Sequence, residues 1–301
     1  MAKLIILVGL PGSGKSTYAR SLCDPEGHVQ YCSSDKIREE LYGDENIQGD
    51  PNKVFRVLHN KVKNLLDRGY DVVYDATNVT RKNRRGIIQE VKKYCDEIEA
   101  HIVWAPYNDC VVRDRERKRN VGKDVIRKFL LRWQSPYYDE GFTKIKIVHN
   151  TNIGFNAKDY CNARIEDMKI PHDNPHHKLG VWEHCLATDA YVKKHFVNVA
   201  VLEAAIIHDI GKPWVKGFES DEEGKMLPIA HYYQHHCVGG YLAYGMYDLK
   251  TCPSNEGIAI LVSWLISNHM EPFFDSKYYR TLQPELKKII DELHEADVAA
   301  H

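Results

Sequence analysis

The sequence predicts two units of different class: an α/β front half on a parallel sheet with helices on both faces, and an all-helical back half. Three observations carry this. The apolar run Leu4–Val8 leads straight into Gly9-Leu-Pro-Gly-Ser-Gly-Lys-Ser-Thr17, a G-x-x-x-x-G-K-S string between a strand-type and a helix-type segment. Strand-like runs then alternate with helical runs as far as Val148 and stop. Beyond residue 172 the histidines crowd into helix-patterned segments.

The bulk properties exclude several classes. A chain of 301 residues suggests two domains, and 43 % hydrophobic with 28 % charged residues is ordinary for a soluble globular protein. No apolar stretch approaches the roughly 20 residues of a membrane span, and Met1-Ala-Lys3 is not the start of a secretory signal. Eight scattered cysteines without a C-x-x-C pair argue against a disulfide framework or zinc ribbon, and for a cytoplasmic setting. Residues 1–150 carry 27 Lys/Arg and 21 Asp/Glu (net +6); residues 151–301 carry 14 and 21 (net −7). A basic front half suits a polyanionic substrate, and an acidic back half is compatible with divalent metals.

Taken in order, the loop after the first strand is a phosphate cradle. Its glycines let backbone N–H groups turn toward phosphate oxygens, and the following helix adds its positive end. Gly12, Ser13, Gly14, Lys15, Ser16 and Thr17 form the expected nucleotide site. Lys15 would reach the β- and γ-phosphates of ATP or another NTP, and Ser16 would ligate Mg²⁺. A second strand ends near Cys32, with Ser34 or Asp35 capping a helix that begins around Lys36. Asp35 thus lies beyond a strand's C-terminal end, where open α/β sheets bind ligands. It could accept a proton from an attacking hydroxyl, while Arg38, on the same helical face, could hold a neighbouring phosphate. A helix over about Asn52 to Arg68 closes at Gly69, and the next strand ends in Asp75, which suits Mg²⁺ placement or a structural role. Thr80 to Tyr94 reads as a helix opening with Arg81, Lys82, Arg84 and Arg85, followed by a strand over Glu99 to Ala105. Arg113-Asp-Arg-Glu-Arg117-Lys-Arg119 then precedes an amphipathic helix from Asp124 to Trp133, and Lys144–Val148 forms the last strand. Such arginines serve either as a solvated face or as a lid over the transferring phosphate.

The phosphate loop, Ser34-Asp-Lys-Ile-Arg38, Asp75-Ala-Thr-Asn78 and the arginine-rich lid together resemble the phage-type polynucleotide 5′-hydroxyl kinases over about residues 1–150. The resemblance implies Asp35 as general base and Arg38 as holder of the substrate's 3′ phosphate. It implies Lys15 and Arg117 as stabilisers of the transition state, with Arg113, Arg115 and Arg119 as other candidates for the lid arginine.

Residues 151–171 read as a linker and 172–301 as a second domain. There Ile206-Ile-His208-Asp209-Ile-Gly-Lys212 sets an imidazole beside a carboxylate, enough to grip a divalent metal from two sides. His184, His235, His269 and Asp297 sit among apolar residues on separate helices, where unpartnered polar groups are costly. Four histidines and two aspartates placed this way point to metal ligation. Their mixed ligation fits Mn, Fe, Co, Ni or Zn better than Mg or Ca.

The order H…HD…H…H…D, with N-P-H-H-K-L-G-V-W-E-H and H-x-x-x-G-G-Y-L-A, resembles the HD phosphohydrolases, most of all the HD domains of tRNA nucleotidyltransferases. The resemblance implies one metal on His184, His208, Asp209 and Asp297, and a second site completed by His235 and His269. A metal-activated water would attack phosphorus, and Lys212 would bind the phosphate. The spacing to Gly239 favours His235 over His236. The two resemblances together imply healing of RNA or DNA ends: phosphorylation of 5′-hydroxyls and removal of 2′,3′-cyclic or 2′-phosphates, alongside a separate RNA ligase. The alternatives are a small-molecule or nucleoside kinase joined to a nucleotide-hydrolysing domain, and a nucleotide-sensing regulatory module.

Overall fold

The structure, a computed structural model, describes residues 2–117, 119–175 and 177–301. Within the arginine-rich run Lys118 lies outside the described residues, as does His176 of the Asn174-Pro-His-His string. The chain divides into two compact units: residues up to Phe129 with Pro136–Ile153, and Leu130–Ser135 with Gly154–His301.

The first unit is built on five parallel strands: β1 (Lys3–Val8), β2 (Val29–Ser33), β3 (Asp71–Asp75), β4 (Glu97–Trp104) and β5 (Lys144–His149). Their spatial order is β2-β3-β1-β4-β5. The central strand is buried on both sides, which is why it reads as a continuous apolar run. The helices are α1 (Lys15–Leu22), α2 (Ser34–Tyr42), α3 (Pro51–Asp67), α4 (Arg81–Val91), α5 (Tyr107–Glu116) and α6 (Lys123–Leu130). The β1-to-β2 crossover runs opposite to the others along the sheet. Right-handed connections therefore put α1 on one face and α3 and α4 on the other. Ala19 of α1 packs with Ile5, Leu7 and Val73 on its face. The expected parallel sheet is present.

Three details differ from the sequence reading. The α2 cap is Ser33, whose hydroxyl accepts from Lys36 N at 3.1 Å, in place of Ser34 or Asp35. Arg84, read only as one of the charges that open its helix, faces inward. Its guanidinium is buried, donating to both carboxylate oxygens of buried Glu140 (2.8 and 2.6 Å) and to Asn78 O (2.9 Å). The amphipathic helix ends at Leu130, not Trp133. The Trp133 indole is fully buried and belongs to the second unit, edge-on to Tyr241 at 5.0 Å. Ser135 there meets Ser267 hydroxyl to hydroxyl at 2.8 Å.

The second unit carries α7 (Ala157–Asp167), α8 (Val181–His195), α9 (Val199–Ala205), α10 (Lys212–Val215), α11 (His235–Ala243), α12 (Glu256–Asn268), α13 (Glu271–Phe274), α14 (Lys277–Arg280) and α15 (Pro284–Ala299). The stretch read as linker thus folds a helix, α7. The unit is not purely helical either, since β6 (Gly217–Ser220) and β7 (Met226–His231) form an antiparallel pair. Its core packs α8, α9, α11, α12 and α15 together through residues such as Cys185, Val201, Val262, Leu265 and Leu293. The close α11–α12 approach depends on glycine: a Cβ on Gly240 would lie 1.9 Å from Ser267 Oγ. Among the described residues no helix is long and apolar enough to cross a membrane.

Candidate functional site

The first site forms where β1 gives way to α1. Gly12 (φ 80°) and Gly14 (φ 94°) adopt left-handed backbone. A Cβ on Gly12 would collide with Cys110 O at 2.1 Å, so the turn is closed to side chains. Ser13 is buried and its hydroxyl has no hydrogen-bond partner, while Thr17 is exposed. Lys15 is buried, its ammonium donating to Gly9 O and Leu10 O at 2.9 Å each. Burial pushes its pKa down, against the pull of Asp75.

Register pairs Leu7 with Asp75 across β1 and β3, so Asp75 comes to the loop. Its Oδ2 accepts from Ser16 Oγ and from Tyr31 OH, both at 2.7 Å. A serine hydroxyl beside a buried carboxylate is a hard oxygen pair that fits Mg²⁺. Tyr31 was not foreseen; β2–β3 pairing alone brings it there.

Because Ser33 takes the capping role, the Asp35 carboxylate is free for other partners. Arg38 Nη1 donates to its Oδ1 at 2.9 Å, and Arg119 Nη1 forms an ion pair with the same oxygen at 2.5 Å. Burial lowers the Arg38 pKa, with Asp35 opposing. Arg117 is exposed at the end of α5, and its charge and that of Asp35 are both felt by Lys15. Arg113 is occupied elsewhere, donating to Asn150 O (3.0 Å) and Asn152 Oδ1 (2.9 Å), and Arg115 is exposed. Of the four arginines expected as lid candidates, Arg119 pairs with Asp35 and Arg117 acts on Lys15.

The second site gathers all six groups predicted from the sequence, and all are buried. His184 Nε2 lies 2.9 Å from Asp297 Oδ1 and 3.7 Å from Asp209 Oδ2. His208 Nε2 lies 3.3 Å from His184 Nε2, 3.4 Å from Asp209 Oδ2 and 3.5 Å from Asp297 Oδ1. On the other side His235 Nε2 stands 3.3 Å from Asp209 Oδ1 and 3.1 Å from His269 Nε2. Asp209 therefore presents one oxygen to each group of ligands. His236 ends against Phe274, its ring 6.0 Å away.

The donor chemistry fits a cation. His208, His235 and His269 each aim Nδ1 at a backbone carbonyl: Ala205 O at 2.8 Å, Tyr232 O at 2.9 Å and Ile266 O at 2.7 Å. A carbonyl only accepts, so Nδ1 carries the hydrogen and Nε2 of the neutral ring keeps its lone pair. Burial holds His269 down to about 4 and His235 well below its ordinary value, so both rings are neutral near pH 7. Two lone pairs then face each other at 3.1 Å, an arrangement that calls for a positive charge between them. Burial opposes charge on His208, while the adjacent Asp209 carboxylate raises its pKa well above the usual range. Two carboxylates and four imidazoles match Mn, Fe, Co, Ni or Zn.

Lys212 Nζ lies 2.6 Å from Asp209 Oδ2 and 3.0 Å from His172 Nε2, so it is engaged with the Asp209 carboxylate. His172, His177 and His301 were not foreseen. His177, His184 and His301 place ring nitrogens within 4.8 Å of one another, and His172 stacks on His177 at 3.9 Å. All three lie in irregular segments with no periodicity to mark them. A cavity of about 530 Å³ opens over the cluster, with Asp209, His235, His269 and Asp297 in its wall.

Residues 4–138 match the AAA domain family. With the loop and parallel sheet, that span is a kinase-like P-loop fold, which implies an NTP with Mg²⁺. Over 193 residues the chain is 27 % identical to the L-seryl-tRNA(Sec) kinase of Methanococcus maripaludis, covering 57 % of this chain and 72 % of that one. Among solved structures it is similar to a chain of the Pnkp1/Rnl/Hen1 RNA repair complex (30 % identity, TM-score 0.38, 42 % of each chain). It is also similar to a fungal RNA kinase (18 % identity, TM-score 0.39, 56 % of this chain and 44 % of that one). The chain spans less than half the length of these two solved chains.

Proposed function

We propose that the chain heals nucleic-acid ends, RNA above all, with two active sites. The first transfers the γ-phosphoryl of ATP to a 5′-hydroxyl, and the second, an HD-type metal site, hydrolyses 2′,3′-cyclic phosphate or 2′-phosphate at 3′ ends. The observation that carries the reading is the coexistence in one chain of a complete phosphate loop and six converging metal-type ligands. A broken RNA with a 5′-hydroxyl and a 2′,3′-cyclic phosphate needs both conversions before a ligase can act, which makes an RNA ligase the natural partner.

In the first site Lys15 and Arg117 or Arg119 face the transferring phosphoryl, where charge spreads over its oxygens. Asp35 takes the proton of the attacking hydroxyl, and Arg38 orients both Asp35 and a neighbouring phosphate. Ser16 and Asp75 would hold Mg²⁺. In the second site His184, His208, Asp209 and Asp297 would hold one ion, and Asp209, His235 and His269 another. Such ions supply an activated water and charge stabilisation for the leaving oxygen. Lys212 anchors Asp209 and offers positive charge to an incoming phosphate.

The relative named L-seryl-tRNA(Sec) kinase favours a second reading of the first site, in which the hydroxyl acceptor is carried on an aminoacyl-tRNA. One assay separates the two. A 5′-hydroxyl, 2′,3′-cyclic-phosphate RNA is incubated with ATP, Mg²⁺ and Mn²⁺ and its ends are mapped. Conversion of both ends supports end healing. An untouched 5′ end, with phosphorylation of seryl-tRNA, selects the second reading, and two unchanged ends overturn the proposal.

A further inference from the structure

We propose that the mouth of the cavity over the histidine–aspartate cluster is a nucleobase-stacking subsite, taking the terminal nucleoside of the strand whose phosphate lies at the metal ligands. This rests on the reading of that cluster as a nucleotide phosphoesterase.

The cavity is amphipathic. Its floor holds the ligands, while its rim carries Tyr233 (70 % exposed), Phe273 (49 %) and Phe274 (59 %) beside Met270. At about 530 Å³ it lies within the range of nucleotide-sized ligand sites and far exceeds what a lone phosphate needs. Exposed aromatic rings gathered on one rim are an unsatisfied apolar surface, and every base offers a π-face to cover it.

The rings are also tied to the metal ligands through the backbone. Tyr233 precedes Gln234, which sits at φ 66°, a conformation uncommon outside glycine, and His235 follows at once. That turn sends one side chain to the rim and the other to the cluster. Phe273 and Phe274 lie on α13, directly after His269. The rings are braced: Tyr233 stacks on His231 at 4.5 Å and Phe273 meets His294 edge-on at 4.4 Å. Stacking faces without an obvious hydrogen-bond code predict binding of all four bases with little preference.

The test is calorimetric binding to the full chain loaded with Mn²⁺, with adenosine 2′-monophosphate and 1-O-methylribose 2-phosphate, which lacks the base, as probes. The nucleotide is expected to bind at least about 5-fold more tightly. Tyr233→Ala or Phe274→Ala should erase most of that difference, and Phe274→Trp should restore it; unchanged manganese content shows that each variant folds. Equal affinities in the unmodified chain, or a base preference that survives both alanine variants, would overturn the proposal. If the base preference is present but 2′,3′-cyclic AMP is not hydrolysed, the phosphoesterase reading fails and the subsite stands.

Discussion

The two sites differ in how the chain builds them. The phosphate loop is mostly local: Gly9 to Ser16 form one turn and one helix start, joined by Asp75 and Tyr31 from the sheet and by Asn150, whose side chain donates to Ser13 O at 2.8 Å. The histidine–aspartate cluster is assembled from distant parts, since His184 and Asp297 meet at 2.9 Å across 113 positions of sequence. A local site tolerates changes elsewhere so long as its backbone turn survives. A distributed site depends on the whole unit and, through Asp209, on a single carboxylate shared by both groups of histidines.

That contrast yields graded predictions. The largest effect is expected from Asp209→Ala, which removes an oxygen donor from both groups: metal content by mass spectrometry should fall at least about 100-fold with 5′ phosphorylation intact. Lys15→Ala should lower 5′-phosphorylation kcat by about 100-fold or more while leaving metal content and 3′ hydrolysis alone. Arg84→Ala strands Glu140 as an unpaired buried charge, and chemical denaturation should show the first unit weakened by about 3–5 kcal/mol. Ser33→Ala, which loses only the α2 cap, should cost about 1 kcal/mol. If Ser33→Ala damaged kinase activity as much as Lys15→Ala, the local character of the first site would be refuted.

Legibility in the sequence follows the same division. The loop residues were readable because their chemistry and spacing are contiguous. The convergence of six back-half histidines and aspartates was readable because polar side chains recur inside apolar helical surroundings. Tyr31 was hidden because only strand register brings it to Asp75. The role of Arg119 depends on a loop path that no periodicity encodes. His172, His177 and His301 sit outside helices and strands, and Trp133 joins partners more than a hundred residues away. The β6–β7 pair was missed because Pro228 interrupts the strand pattern of β7.

The central claim, that two groups of ligands share Asp209 around bound cations, is tested most directly by anomalous diffraction at the manganese edge from crystals grown with Mn²⁺. The account predicts anomalous density flanking Asp209, between His184, His208 and Asp297 on one side and His235 and His269 on the other. No density there, with the six side chains turned apart, would contradict it.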